Sequence, residues 1–159
     1  MTTTTKDRIR IERTFKAPIE KVWRMWTTKE GIEKWWGPEG FATVVRSLDL
    51  RVGGPFEVVM SAVRQDVIDY VKSAGVPEHN VMSCRYTELV PMTRLAYATT
   101  VNFIPGMEPY ESITTVELAP ALTGTFLVLT FDAMHDAHWT SMAKMGWESE
   151  LGKLDAALA

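Results

Sequence analysis

The order of elements predicts an α+β fold: a curved antiparallel sheet of about seven strands wrapped around a long C-terminal helix. Three observations carry this. Period-two alternation recurs in consecutive stretches separated only by turn residues, which is the mark of antiparallel pairing. Two short helical stripes follow the first strand and one more is inserted in mid-chain. The last 20-odd residues, from Ala137 to about Leu158, are amphipathic at helical period, and such a helix must lie along something apolar.

The elements follow in order. In RIRIERTF, Arg8 to Phe15, Ile9, Ile11, Arg13 and Phe15 share one strand face. Ala17-Pro18 opens a helix, because proline is accepted in a first turn, and Ile19, Val22, Trp23 and Trp26 form its stripe. Thr27 or Thr28 caps a second short helix with Ile32, Trp35 and Trp36 on its apolar side, and Gly37-Pro38 ends it. Phe41 to Leu50 alternates, with Val44, Leu48 and Leu50 on one side and Arg46 among them. RVGGPF reads as a hairpin turn in which Gly53 and Gly54 supply positive φ, and Phe56 to Met60 returns. Val63, Val67, Tyr70, Val71 and Ala74 sit at helical spacing, so Arg64 to Ala74 is read as an inserted helix ended by Gly75 and Pro77. Four longer strands follow at Met82–Leu89, Arg94–Phe103, Glu111–Ala119 and Gly124–Phe131, punctuated by Pro91, Pro105-Gly106 and Pro120. Asp136 caps the final helix, on which Trp139, Ala143, Gly146, Trp147, Leu151, Leu154 and Leu158 cluster opposite Lys144, Glu148 and Asp155.

The 159 residues fit one domain spanning 1–159. A net charge of −3 without a basic stripe speaks against nucleic acid as a partner. The opening MTTTTKDRIR lacks an apolar signal core and no stretch is long enough to span a bilayer, so no membrane partner is expected. One cysteine, Cys84, excludes an intramolecular disulfide and fits a reducing, cytoplasmic setting. No phosphate-cradling loop, nucleophile elbow or zinc-helix motif is present, and no cofactor is expected. In FDAMHDAHW, Asp132, His135, Asp136 and His138 have a metal-like composition, but a capping role for Asp136 is the simpler reading.

Six tryptophans and nine methionines are the unusual feature of the composition. EKWWGPEGF places Trp35, Trp36 and Phe41 at the edge of a turn, where they would close one end of a hydrophobic groove. Adjacent helix positions point about 100° apart, so one tryptophan of the pair packs inward and the other lines the opening. Plain core packing explains such rings as well as a pocket wall does, since burial of one contributes roughly 2–3 kcal/mol. Polar residues on apolar faces form a second set: Arg46, Tyr86, Glu88 and Glu150. The bland account turns Arg46 and Glu88 outward or pairs them, and sets Glu150 at a wet edge. The sharper one makes all four the orienting groups of an apolar pocket, with a carboxyl of raised pKa able to act as acid or base. Gly146, mid-stripe, either admits close packing against a strand, the favoured reading, or leaves room for a ligand. TFLVLTF, Thr125 to Phe131, is apolar on both faces, which calls for cover by the inserted helix or by a second subunit in a homodimer.

The stretches APIEKVWRMWTT, EKWWGPEGF, LDLRVGGPF, YTELVPMTRLAY and MGWESELGKLDAAL, in that order, resemble the SRPBCC superfamily of START- and Bet v 1-like helix-grip domains. Within it they resemble the group related to the C-terminal domain of the activator of the heat-shock-protein-90 ATPase. The resemblance runs from about Ile9 to Leu158 and implies a cavity between the sheet and the terminal helix. It implies a domain that binds a hydrophobic or amphipathic small molecule, with the ligand site drawn from Trp35, Trp36, Phe41, Arg46, Tyr86, Glu88, Trp139, Ala143, Gly146, Trp147 and Glu150. The wider superfamily includes cyclases, so a cavity carboxylate at Glu150 or Glu88, or Tyr86, could do acid–base work. A chaperone-interacting module is the third expectation. It is opposed by the grip domain accounting for the whole chain, with no separate N-terminal domain.

Overall fold

The computed structural model describes residues 7–102, 104 and 106–159. The opening threonines, the predicted strand end at Phe103 and the turn residue Pro105 lie outside the described residues. Strand β1 (Arg8–Phe15) leads into helices α1 (Ile19–Thr27) and α2 (Lys29–Trp35), then strands β2 (Phe41–Leu48) and β3 (Pro55–Ala62). Helix α3 (Gln65–Ser73) is inserted before β4 (His79–Val90), β5 (Arg94–Val101), β6 (Tyr110–Ala121) and β7 (Gly124–Asp132), and α4 (Ala137–Leu158) closes the chain. The seven strands form one antiparallel sheet in the order β1-β7-β6-β5-β4-β3-β2. The first two strands in sequence are thus its two edges, and the α1–α2 pair carries the chain from one edge to the other. The curved sheet with α4 laid against it is the helix-grip architecture expected of the α+β reading.

Local chemistry accounts for the helix ends. Proline 18 precedes α1, and Thr28 Oγ1 accepts the Gly31 N–H at 3.0 Å to cap α2. Asp136 caps α4 by accepting the Trp139 N–H at 2.8 Å, the role the sequence assigned it. The α1 stripe buries Val22, Trp23, Met25 and Trp26. Of the predicted α3 stripe Val71 is buried, while Tyr70 is exposed. The core joins Phe15, Leu127 and Leu129 of the sheet to Trp26 and Trp35 of the helical pair and to Leu151, Leu154 and Leu158 of α4.

Two β-bulges correct the predicted strand faces. Between Val45 and Ser47 the register slips against β3, so Arg46 is the extra residue. Thr43 and Val45 face inward before the bulge and Leu48 after it, leaving Val44 exposed with Arg46 rather than on an inner face with Leu48. Arg46 accordingly sits outside, 3.9 Å from Glu57. The second slip lies between Tyr86 and Glu88. Tyr86 is buried, but Glu88 emerges on the outer face and pairs with Arg94 at 2.8 Å. Alternation of period two holds only between bulges, because one inserted residue exchanges the faces. The β2–β3 turn differs in one detail: Gly53 has positive φ (83°) and Gly54 does not. Gly54 is required for space instead, since a Cβ there would meet the Asp49 carbonyl.

On the doubly apolar strand β7 the inserted helix does not supply the cover. Leu127, Leu129 and Phe131 belong to the core, and Val128 on the other face is buried between its register partners Glu12 and Glu117. Helix α3 packs on β3, far across the sheet, and does not cover β7. Phe126, on the same outer face, is half-buried.

Candidate functional site

The site is built from the end of α2. Trp35, the last helical residue, is fully buried and donates its indole N–H to the Met25 carbonyl at 2.7 Å, so its polar handle is satisfied in the core. Trp36 leaves the helix with extended backbone and swings to the sheet side, with ring centroids 5.8 Å from Tyr97 and 6.2 Å from Trp147. Gly37 then takes φ 93°, a left-handed conformation that glycine adopts without a steric penalty, and the chain reverses into β2.

Helix α4 holds that reversal from the other side. The Gly37 N–H donates to Glu150 Oε1 at 2.8 Å, and the Gly37 carbonyl accepts from Lys153 Nζ at 2.8 Å. Glu150 and Lys153 are three residues apart on one helical face, so a single turn of α4 holds both backbone polar groups of one residue. The Glu39 N–H adds a bond to Ser149 Oγ at 3.0 Å. Glu150 is buried, only 8% exposed, and burial pushes its pKa up to about 8 against the opposing pull of the Gly37 N–H and Lys153. It therefore exchanges its proton near neutrality.

Above this clamp, between the sheet and the N-terminal half of α4, lies a cavity of about 250 Å³. Trp36 and Pro38 supply one end, Met60 and Met82 the sheet floor, and Trp139, Gly146 and Trp147 the helix wall. Among the described residues Glu150 is its one ionisable lining group. A second lobe of about 130 Å³ adjoins it through the shared walls Trp36, Met82, Met134, Ala143 and Trp147. That lobe reaches β5 and β6 and is more polar, with Tyr97, Thr99, Ser112 and Thr114. The Tyr97 hydroxyl is buried without a hydrogen-bond partner among the described residues, and burial drives its pKa well above the usual phenol value. A crevice of about 370 Å³ at the opposite end of α4, lined by Thr14, Lys16 and Asp155 among others, has no aromatic wall.

Gly146 earns its place through space. A Cβ there would meet only Pro38 Cγ, at the ordinary distance of 3.7 Å, so close packing against a strand does not demand glycine. The favoured close-packing reading is therefore corrected: the missing side chain widens the cavity.

The structure brings together Trp36, Trp139, Ala143, Gly146, Trp147 and Glu150 from the predicted set. Trp35 stands behind them, 5.5 Å from Trp36 between ring centroids. Phe41 is half-buried at the start of β2 and lines neither lobe, and Arg46 and Glu88 lie on the outer surface. Tyr86 is buried with its ring 4.6 Å from Phe56 and also lines neither lobe. The methionines Met60, Met82, Met134 and Met142 and the polar group on β5 and β6 were missed. The methionine-rich composition was a general signal for the former. Runs such as Tyr97-x-Thr99-x-Val101, facing one side of a strand, were a signal for the latter.

Elsewhere, Cys84 is buried with Sγ 3.4 Å from Thr99 Oγ1, and burial pushes its thiol up to about 12, so it is no nucleophile near neutrality. The residues of FDAMHDAHW have separate duties. Asp132 accepts the Ile113 N–H and pairs with Arg8, while His135 bonds the Tyr110 hydroxyl at 3.0 Å. Among the described residues no helix is long and apolar enough to cross a membrane.

The family described as Activator of Hsp90 ATPase homolog 1-like protein matches residues 16–159. A crystal structure of a protein from Chromobacterium violaceum is 31% identical, with 95% of this chain and 96% of that one covered and a TM-score of 0.78. The AHSA1 protein from Silicibacter pomeroyi is 23% identical over 96% of this chain and 97% of that one, with a TM-score of 0.74. The AHSA1-like protein from Aeromonas hydrophila is 23% identical over 95% and 94%, with a TM-score of 0.68. No curated protein sequence matches the chain.

Proposed function

The chain belongs to the Activator of Hsp90 ATPase homolog 1-like family of helix-grip proteins, and from that premise we propose that it binds a hydrophobic or amphipathic small molecule between its sheet and α4. The observation that carries this reading is the two-lobed hollow itself. Its larger lobe is walled by tryptophan and methionine, with a single buried carboxyl as polar anchor. That combination of apolar wall and few orienting groups is what small-molecule sites are made of. Methionine side chains adapt to irregular shapes, which suits a surface that must close around a guest.

A neutral apolar fluorophore such as N-phenyl-1-naphthylamine tests it. The unmodified protein is expected to enhance its emission saturably. Gly146→Trp, which has space for its Cβ and directs an indole into the hollow, is expected to abolish the enhancement while the circular dichroism spectrum is retained. Equal probe binding by the folded variant would sink the reading.

The Glu150 carboxyl supports a second, catalytic reading. A group that titrates at about 8 is matched to proton transfer near neutrality. Mass spectrometry of a bound guest after prolonged incubation separates the two: an unchanged mass supports binding alone, and an altered one supports turnover.

A further inference from the structure

Resting on that binding reading, we propose that the guest of the larger lobe is a lipophilic organic cation, its ammonium centre held between the Glu150 carboxyl and the rings of Trp36 and Trp147, its apolar part extending toward Trp139 and the second lobe. Four observations converge on a positive charge.

First, among the described residues lining the two lobes there is no Arg, Lys or His, so an anionic guest meets no counter-ion there. Second, the one ionisable group among the described residues of the larger lobe is a carboxyl, and it is more than nine-tenths buried. Its Oε1 accepts from Gly37, and no described residue bonds its Oε2. A buried carboxylate needs a partner, and a cation brought by the guest supplies one. Third, Trp36 and Trp147 stand at 67° with centroids 6.2 Å apart, two walls of a corner, and Trp139 lines the same lobe. Indole faces carry negative charge density and attract ammonium groups, most strongly when water is excluded. Fourth, the remaining wall is rich in methionine, whose polarizable sulfur tolerates a soft cation without competing for it by hydrogen bonding.

The other charges around Glu150 do not cancel this preference. Lys153, on its own helix, spends its ammonium on the Gly37 carbonyl and does not line the lobe. From the sheet, β3 and β4 present Met60 and Met82, and β5 presents Tyr97, whose phenol stays neutral because burial disfavours its ionised form. From the turn after α2 only the Gly37 N–H and the neutral Trp36 and Pro38 face it.

The test uses three benzyl probes: benzyltrimethylammonium, its neutral isostere neopentylbenzene, and the smaller anion phenylacetate, each followed by titration of the intrinsic tryptophan fluorescence and by calorimetry. At pH 8 the cation is expected to bind at least about tenfold tighter than the isostere, with phenylacetate weakest. A permanent cation holds Glu150 ionised, so its affinity rises with pH until the free carboxyl has titrated. With that group at about 8, the gain from pH 6 to pH 8 is about 50-fold, while the isostere stays flat or weakens. Calorimetry at pH 7 in buffers of different ionisation heat is expected to show a proton released with the cation. Glu150→Gln keeps an acceptor for the Gly37 N–H and is expected to bring cation and isostere within about threefold of each other. The pH series on the unmodified protein stands even if that variant folds poorly. A cation no tighter than its isostere, a preference that survives Glu150→Gln, or binding that weakens as pH rises overturns the proposal while leaving the pocket reading intact. Failure of all three probes and of the neutral fluorophore overturns both.

Discussion

The two halves of α4 meet the same sheet and do opposite things. The C-terminal half presents Leu151, Leu154 and Leu158, all at most 4% exposed, to α1, α2 and β1. The N-terminal half presents Trp139, Met142, Ala143, Gly146 and Trp147, none of them fully buried, to a hollow of about 250 Å³. The leucines interdigitate with the core, and the crevice at that end opens at the surface beside Lys16 and Asp155, whereas at the other end large rings are separated by alanine and glycine. Glu150 stands at the boundary. One end of the helix therefore anchors the fold, and the other is free to accommodate a guest.

Three substitutions sharpen or break that contrast. The largest effect belongs to the packed half. Leu154→Ala is expected to cost about 2–5 kcal/mol, because a rigid surround cannot collapse onto the cavity left behind. Urea unfolding measures it, and a loss below about 1 kcal/mol would mean that the C-terminal half is as loose as the other.

Next comes the boundary residue. The folded-state pKa of Glu150, about 8, lies above the ordinary carboxyl value of 4.5, so the folded protein binds the proton more tightly than the unfolded chain. Stability is then greatest below pH 4.5 as far as this group is concerned, falls as pH rises toward 8, and levels off beyond. The contribution is on the order of a few kcal/mol across that window. Glu150→Gln is expected to flatten the slope and to raise stability at pH 8. An unchanged profile between pH 5 and pH 8 would show the carboxyl to be solvated.

The smallest effect belongs to the hollow half. Gly146→Ala adds a methyl with room at 3.7 Å from Pro38 and removes a helix-disfavouring glycine. A gain of up to about 1 kcal/mol is expected, read as a rise in melting temperature. A loss instead would show that glycine is needed for contact and not for space.

Much of the fold was legible because it rests on local rules. The strand RIRIERTF, a threonine cap at 27 or 28, the Asp136 cap, the α3 insertion and the long amphipathic helix all follow from periodicity and capping chemistry that neighbours in sequence settle among themselves. The site was legible in part. The inner stripe of α4 named Ala143, Gly146, Trp147 and Glu150 because helical period converts spacing into a face. Arg46 and Glu88 face outward, as the simpler account had it, and fall out of the candidate site because each lies at or just past a bulge, and a bulge is decided by how two distant strands register. The methionines of the cavity escaped because each is an ordinary apolar residue on its own strand and becomes a wall only when four elements converge.

The sequence by itself determined which elements form, which face of the terminal helix is apolar, and that a tryptophan pair ends in a glycine turn. Tertiary structure alone decided that Trp35 is core and Trp36 is wall, that a glycine in a helix means room, and that a carboxyl three residues from a lysine is buried against a backbone N–H. The physical reason is the range of the interactions. Helix and strand periodicity arise within a few residues, while voids, register shifts and desolvation exist only between segments that packing brings together.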